Sequence, residues 1–385
     1  MSDALDLHLS DADRDLYERT RALARSTLTP LAAAGQPGRV NRPLIGALAE
    51  HGLLGRLFAT DGVRALELCL IREALARACT EAETAFALQG LGAYPIVQAG
   101  SPALRDEWVP RVASGNAVAA FALTEPEAGS DPAALSLQAV PEAGTGSGYR
   151  LTGTKLWISN APEADIYTVF ARTAQEVRGS RGLTAFAVPG DAPGLSGTLR
   201  EMLAPHAIGS LAFDGVYVAA DQVLGEPGDG FRVAMRTLDL FRPSVGAFAI
   251  GMARTALELA ARHALERRTF GVTLAEHQAP AHWLAELHAR TEAARLLVHQ
   301  AARALDAGRP DPSLSAMAKL VATEVAQDAV DAAVQVHGAA ALERGHPLEH
   351  LYRDVRAPRI YEGASEIQRE IIARAMFRGV REPLP

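Results

Sequence analysis

The sequence predicts an α+β multidomain fold with a helical N-terminal domain, a middle antiparallel β domain and a C-terminal four-helix bundle. Three observations carry this reading. Apolar residues keep a helical period from Asp11 to about Gly115, regroup between Ala119 and Gly225 into short runs rich in β-branched and aromatic residues, and then return to long helical patterns. The boundaries implied are 1–118, 119–227 and 228–385. A chain of 385 residues exceeds one typical domain, which agrees.

In the first domain the periodic positions include Leu16, Leu23, Ala24 and Leu28, then Leu66, Leu70, Ile71 and Leu75, with Gly and Pro clusters between them. The middle domain offers strand-like runs at Val118–Leu123, Tyr149–Thr152, Leu156–Ile158, Ile166–Ala171, Thr184–Val188 and Gly215–Val218. The Gly/Thr/Ser-rich stretch Gly144–Gly148 reads as a hairpin tip. Helical patterns then cover Phe231–Arg268, Gln278–Ala307 and Ser313–Gly338. Their Ala-rich faces permit close helix approach and suit burial against a second subunit. A last helix begins near Ser365, where Ser365 and Gln368 form a capping-box pattern, and Ile367, Ile371, Ile372 and Ala375 recur on one face until Gly379.

Composition excludes several functions. A net charge of −7 with interspersed signs leaves no basic footprint for nucleic acid or membrane lipid. Cys69 and Cys79 are the only cysteines and are spaced for neither a disulfide framework nor a zinc cluster. His346 and His350 have a metal-ligand separation, but Pro347 argues against a regular helix there. No Gly-x-Ser-x-Gly elbow, P-loop or Gly-x-Gly-x-x-Gly occurs. An acidic, polar start and the lack of a bilayer-spanning apolar run point to the cytoplasm.

The residues suited to chemistry lie in four places. Glu362 stands on irregular backbone at the mouth of the last helix, beside Gly363, which lets a ligand approach the main chain; this suits a general base. A lone acidic residue at a helix start can equally be complementing the macrodipole. Thr124-Glu125-Pro126 to Ser130-Asp131 breaks from a strand into a turn with hydroxyls and free N–H groups. Lys155 to Asn160 would expose the Trp157 indole on one side, and Glu266 to Gly271 ends a helix in cations able to pair with a pyrophosphate through Arg267. Their bland readings are a solvated turn, a core Trp and helix C-terminal charge compensation.

Taken in order, these motifs resemble the acyl-CoA dehydrogenase family of FAD flavoproteins. The resemblance rests on Thr124-Glu125-Pro126 with Gly129-Ser130-Asp131, Trp157-Ile158-Ser159-Asn160, Arg267-x-Thr269-Phe270-Gly271, Gln335-x-x-Gly338 and Tyr361-Glu362-Gly363-x-Ser365, and runs from about Ala119 to Phe377. It implies FAD lying between domains and reaching a neighbouring subunit of a homotetramer. By matching position, Thr124 and Ser159 would bond the flavin ring with Trp157 packed beside it. Arg267, Thr269 and Phe270 would serve the pyrophosphate across the interface, and Gln335, Gly338 and Ala339 the adenosine end. Ser130 would meet the pantetheine arm, and Asp239, Arg242, Tyr361 and Gly363 the substrate. Glu362 matches the catalytic base, since Phe241 fills the alternative position some members use.

The implied reaction is α,β-desaturation of a saturated acyl-CoA, with Glu362 abstracting the α-proton, hydride passing from Cβ to flavin N5, and electrons leaving through an electron-transferring flavoprotein. Burial would raise the base, and hydrogen bonds to the thioester carbonyl from the base's backbone N–H and an FAD hydroxyl would hold the enolate-like charge. Phe86, Gln89 and Tyr94 are candidate acyl-pocket residues by the same analogy. Two departures bear on substrate and one on FAD: the family's Pro-Glu-Glu-Tyr-Gly-Gly loop is missing after Gly52–Gly55, the CoA-end segment is replaced around Leu203–Ser210, and the usual Gly-Gly-x-Gly reads Gly338-Ala339-Ala340-Ala341, adding methyl groups where the backbone approaches the cofactor. Two alternatives follow: the same chemistry on a carrier-protein thioester, or a flavin-dependent oxidase or monooxygenase on the same fold.

Overall fold

The computed structural model describes residues 6, 8–59, 62–142, 148–177 and 179–381. Most of the expected hairpin tip, 143–147, lies outside the described residues. The helices of the first third are α1 (Asp11–Leu23), α2 (Thr29–Ala33), α3 (Arg42–Glu50), α4 (Ala65–Ala76), α5 (Thr80–Ala99) and α6 (Pro102–Ala113). Their starts follow local chemistry. Ser10 accepts from the Asp13 N–H while the Asp13 carboxylate returns to the Ser10 N–H, closing a capping box on α1. Asn41 and Ser101 cap α3 and α6, each followed by a Pro in the first turn.

The strands are β1 (Ala119–Ala122), β2 (Gln138–Glu142), β3 (Gly148–Ser159), β4 (Ile166–Arg172), β5 (Leu183–Pro189), β6 (Leu195–Leu199), β7 (Ile208–Ala219) and β8 (Val223–Leu224). They form one sheet in the order β6-β7-β3-β2-β4-β5-β8, with β1 also on β4. Pairing is antiparallel except that β1, and one residue pair of β2, run parallel to β4. Two strand-like runs, Tyr149–Thr152 and Leu156–Ile158, are one strand, and Gly215–Val218 is the end of the longer β7. The remaining elements are α7 (Gly230–Glu266), a small hairpin of β9 (Arg268–Thr269) and β10 (Val272–Thr273), α8 (Gln278–Asp306), α9 (Pro312–His337), α10 (Pro347–Asp354) and α11 (Ser365–Arg381).

Three expectations are corrected here. The last helix does not stop at Gly379 but continues to Arg381. Pro347 does not prevent a helix: it occupies the first turn of α10, where its missing N–H has no intrahelical partner to lose, and His346 caps it by accepting from the Leu348 N–H. The Ser365–Gln368 capping box is not formed. Ser365 donates instead to Glu324 (2.6 Å), and the Gln368 amide donates to the Gly363 carbonyl (2.7 Å).

The chain divides into two compact units. One comprises Met1–Thr29, Arg64–Glu83 and Asp239–Pro385, and is helical. Its core is rich in alanine, including Ala253, Ala256, Ala260, Ala326, Ala329 and Ala333. At Gly251 an added Cβ would lie 2.6 Å from both the Glu73 carbonyl oxygen and Ala76 Cβ, so α7 and α4 touch almost backbone to backbone. The other unit, Pro30–Val63 and Thr84–Leu238, holds the sheet. Leu104, Trp108 and Val112 of α6 pack with Ile166, Phe170 and Leu183 of the strands. Gly92 presses on β1, where a Cβ would meet Ala120 N at 2.5 Å.

Candidate active site

Among the described residues four other than glycine have left-handed backbone: Trp157 (φ 58°), Asn160 (65°), Phe270 (50°) and Glu362 (51°). Such angles are strained for L-residues and persist where surroundings enforce them. Trp157, Phe270 and Glu362 all carry expected functional roles, and Asn160 borders Ser159.

Glu362 is held by the helical unit. It precedes Gly363 (φ 92°), and this left-handed pair turns the chain sharply into α11. The turn is fixed from outside itself. Lys319 of α9, fully buried, donates Nζ to the carbonyls of Tyr361 (3.1 Å) and Gly363 (2.7 Å). Gln368 donates to the Gly363 carbonyl, and Arg359 pairs with Glu324 at 2.8 Å. Among the described residues neither the Glu362 nor the Gly363 N–H has an acceptor, and Glu362 Oε2 is buried without a hydrogen-bond partner. Such buried orphans are rare and mark places where a ligand completes the bonding.

Charge around Glu362 is one-sided. Burial raises its carboxyl above the usual range, while Arg72, Lys319 and Arg242 pull the other way. Arg72 of α4 is buried, paired with Glu83 and donating to Ser244 Oγ (2.7 Å). Arg242 donates to Asp239 (2.6 Å), and burial raises the Asp239 carboxyl despite that guanidinium. Tyr361 has its hydroxyl pushed far above the phenolic range by burial and by Glu83. Glu362 is thus linked electrostatically to Tyr361 and to Arg242, which holds Asp239, and Lys319 ties in the Gly363 carbonyl. Phe241 is buried in α7 with no carboxylate to offer.

Sequence reasoning missed Lys319, Arg72 and Glu324, and gave Gln368 a local capping role in place of its bond to the Gly363 carbonyl. The signal for the first two was a single cation in an apolar helical run, Ala316-Met317-Ala318-Lys319-Leu320-Val321-Ala322 and Leu68-Cys69-Leu70-Ile71-Arg72. A long charged side chain on a buried face needs a partner, which sequence alone does not name.

In the sheet unit, β3 slips register against β7 between Lys155 and Ile158, inserting one extra residue. This bulge turns Trp157 outward, 49% exposed, and sends the Leu156 N–H to the Thr124 carbonyl (3.0 Å), so Thr124 and Trp157 are neighbours. Asn160 holds the strand exit through Nδ2 to the Ala119 carbonyl (2.9 Å). Glu125 is not a solvated turn residue. It is buried and accepts from Lys155 Nζ (2.8 Å) and from the N–H groups of Ser136 and Leu137. Ser130 is exposed on the following turn. Of the pocket candidates, Phe86 is fully buried, Tyr94 is half-buried, and Gln89 spends its amide on the Ala117 carbonyl and the Ala119 N–H.

At the other end of the helical unit, Arg267 joins α7 to β9 and Phe270 stands at the turn of the β9–β10 hairpin, 97% exposed. Among the described residues the exposed Arg267 guanidinium has no acidic partner. Thr269 meets His277 at 3.1 Å. Gln335 is exposed in the last turn of α9, which Gly338 (φ 68°) ends with open space above its Cα, and Ala339 is exposed just beyond. His263 stacks on His337 with ring centroids 4.2 Å apart, joining the ends of α7 and α9. The Arg267 and Gly338 groups are therefore drawn together.

Comparison with known proteins identifies the family. Family models described as the acyl-CoA dehydrogenase N-terminal, middle and C-terminal domains match residues 10–116, 120–218 and 228–377. The chain is 34% identical over 378 residues to cyclohexane-1-carbonyl-CoA dehydrogenase of Geobacter metallireducens, covering 96% of this chain and 98% of that protein. It resembles the structure of butyryl-CoA dehydrogenase from Megasphaera elsdenii with a TM-score of 0.90 and 32% identity over 96% of this chain and 99% of that one. The FAD complex of PigA is similar with a TM-score of 0.90 at 26% identity, over 97% and 99% of the two chains. The chain belongs to the acyl-CoA dehydrogenase family of flavin-dependent oxidoreductases.

Proposed function

We propose that this protein desaturates a saturated acyl-CoA between Cα and Cβ, with Glu362 as the base that takes the α-proton. The observation that carries the reading is the Glu362 turn: a buried carboxylate oxygen without a partner beside two N–H groups without acceptors. A carboxylate of ordinary pKa, about 4.3, is a weak base for a thioester α-hydrogen. Burial lifts Glu362, and a substrate that displaces water lifts it further. The Glu362 N–H donates to the thioester oxygen as charge develops there.

FAD fits the residues present. The outward, strained Trp157 offers an aromatic face, Thr124 and Ser159 offer hydroxyls, and the unpaired Arg267 with the open Gly338 turn suits a pyrophosphate and the adenosine end. FAD, when bound, supplies the two-electron acceptor for the hydride left on Cβ. Phe270, fully exposed and strained, supports a homo-oligomer, read as a tetramer in which the hairpin serves a neighbouring subunit. We further propose an electron-transferring flavoprotein as acceptor, a cytoplasmic location, and domains 1–118, 119–227 and 228–385, supported by the three matched segments. Among the described residues no helix is long and apolar enough to cross a membrane.

One observation favours a second reading, a carrier-protein thioester: Met202 and Leu203, in the segment that departs from the family pattern at the CoA end, are exposed apolar residues suited to a protein partner. Anaerobic addition of butyryl-CoA and cyclohexane-1-carbonyl-CoA to the FAD-loaded protein separates the two. Bleaching of the flavin band by either supports the CoA reading. A band that persists with both but bleaches with an acylated carrier protein overturns it.

A further inference from the structure

We propose that Lys319 is a positioning residue for Glu362: it fixes the left-handed turn through the carbonyls on either side of the base and adds an unpaired positive charge to the surroundings of its carboxylate. The inference rests on Glu362 being the base.

Three cations act on Glu362 from three helices, the strongest being Arg72 of α4, followed by Lys319 of α9 and Arg242 of α7. Two have carboxylates of their own. Arg72 is bound to Glu83, whose charge is the strongest acting on it, and Arg242 is bound to Asp239. Lys319 differs. Its ammonium donates only to main-chain carbonyls, and among the described residues no carboxylate lies within ion-pair distance of it. Glu362 is the strongest charge acting on it, ahead of repulsion from Arg242 and weaker attraction from Glu324 and Glu366. Glu324 is already committed to Arg359 and Ser365.

A buried ammonium without a paired carboxylate is costly. Burial pushes Lys319 down to about 8, and the opposing pull of Glu362 favours its charged form. The two groups stabilise each other's charge. Lys319 thereby opposes the rise that burial imposes on the base, while its two hydrogen bonds hold Tyr361 and Gly363 so that Glu362 stays in its strained conformation. Gln368 shares the second task through the same Gly363 carbonyl, but carries no charge.

Charge and clamp can therefore be separated. Lys319→Gln keeps amide donors and removes the charge, Lys319→Met removes both, and Gln368→Leu removes a clamp donor alone. The readout is the titration of the Glu362 carboxyl in the FAD-loaded protein by infrared pH-difference spectroscopy, its band identified by its loss in Glu362→Gln. Removing a nearby cation disfavours the carboxylate, so the Lys319→Gln midpoint moves to higher pH, by about 1–3 units. Lys319→Met moves it likewise, and Gln368→Leu leaves it in place. A Lys319→Gln midpoint coincident with wild type, or lower, overturns the inference, and this variant decides the matter if Lys319→Met does not fold. Flavin bleaching by an acyl-CoA that survives in Glu362→Gln would instead remove the base assignment while leaving the measured Lys319–Glu362 coupling intact.

Discussion

Substitution of Glu73 is expected to weaken the helical unit more than any change at its surface. Glu73 lies on α4 and is fully buried. Its carboxylate accepts from Arg295 Nε (2.9 Å), Arg254 Nη1 (2.7 Å) and the Tyr17 hydroxyl (3.1 Å), with His299 Nε2 3.7 Å away. Glu73→Ala leaves two buried guanidiniums short of a counter-charge, although Arg295 retains Asp6 at 2.5 Å and Arg254 retains Glu292 at 3.3 Å. Removing one partner from such a pair costs about 3–5 kcal/mol. At roughly 2–4 °C per kcal/mol for a unit of this size, the melting midpoint falls by about 6–20 °C. Differential scanning calorimetry at neutral pH measures it. The pH dependence is a second check. Burial alone would raise Glu73, but Arg295, the nearby His299 and Arg254 hold it well below the carboxylate range. A depressed folded-state pKa gives stability that is complete above the unfolded value and is lost as pH falls toward the folded one. The gap between wild type and Glu73→Ala is therefore widest above about pH 4.5 and narrows in acid. A midpoint within about 2 °C of wild type at neutral pH would refute the argument that these guanidiniums depend on Glu73.

Two further substitutions probe the other features. Gly92→Ala drives a methyl group into backbone atoms of Ala119 and Ala120, so the sheet unit loses about 1–3 kcal/mol in urea denaturation, and an unchanged transition would contradict the close approach. Phe270→Gly relieves a left-handed backbone at an exposed site; thermal stability of the FAD-free protein holds or rises by about 1 kcal/mol, while FAD retention on gel filtration and the oligomer both decline.

Much of the fold was legible because long periodic segments announce themselves. The expected helices Phe231–Arg268, Gln278–Ala307 and Ser313–Gly338 fall within two residues of α7, α8 and α9 at each end. The strands β2 and β6 were not foreseen. Gln138-Ala139-Val140-Pro141-Glu142 and Leu195-Ser196-Gly197-Thr198-Leu199 carry too few apolar side chains, and they are held by pairing with β3 and β7. Gly153-Thr154 hid the continuity of β3, since a glycine between two apolar runs reads as a turn, yet the strand passes through it with a register shift against β7.

The site divides in the same way. Glu362, Trp157 and Phe270 were identified from ordered motifs, and each proves to be a point of backbone strain. The partners that enforce that strain were not, because they come from distant sequence. Ser365 and Gln368 illustrate the limit: their spacing matches a local cap, yet Glu324 and the Gly363 carbonyl compete for the same side chains and win. Local pattern gives the helix start, and tertiary partners decide what its side chains do.

The central claim is that Glu362 is the base, and the most direct measurement is anaerobic stopped-flow bleaching of the flavin band by an acyl-CoA that reduces the wild-type protein, compared with Glu362→Gln at equal FAD occupancy. Glutamine fills the same space and leaves the backbone N–H in place but cannot accept the α-proton. Bleaching in the variant is expected to slow by about 10²–10⁴-fold or more while the yellow colour is retained. Bleaching at the wild-type rate would contradict the assignment of Glu362 as the base.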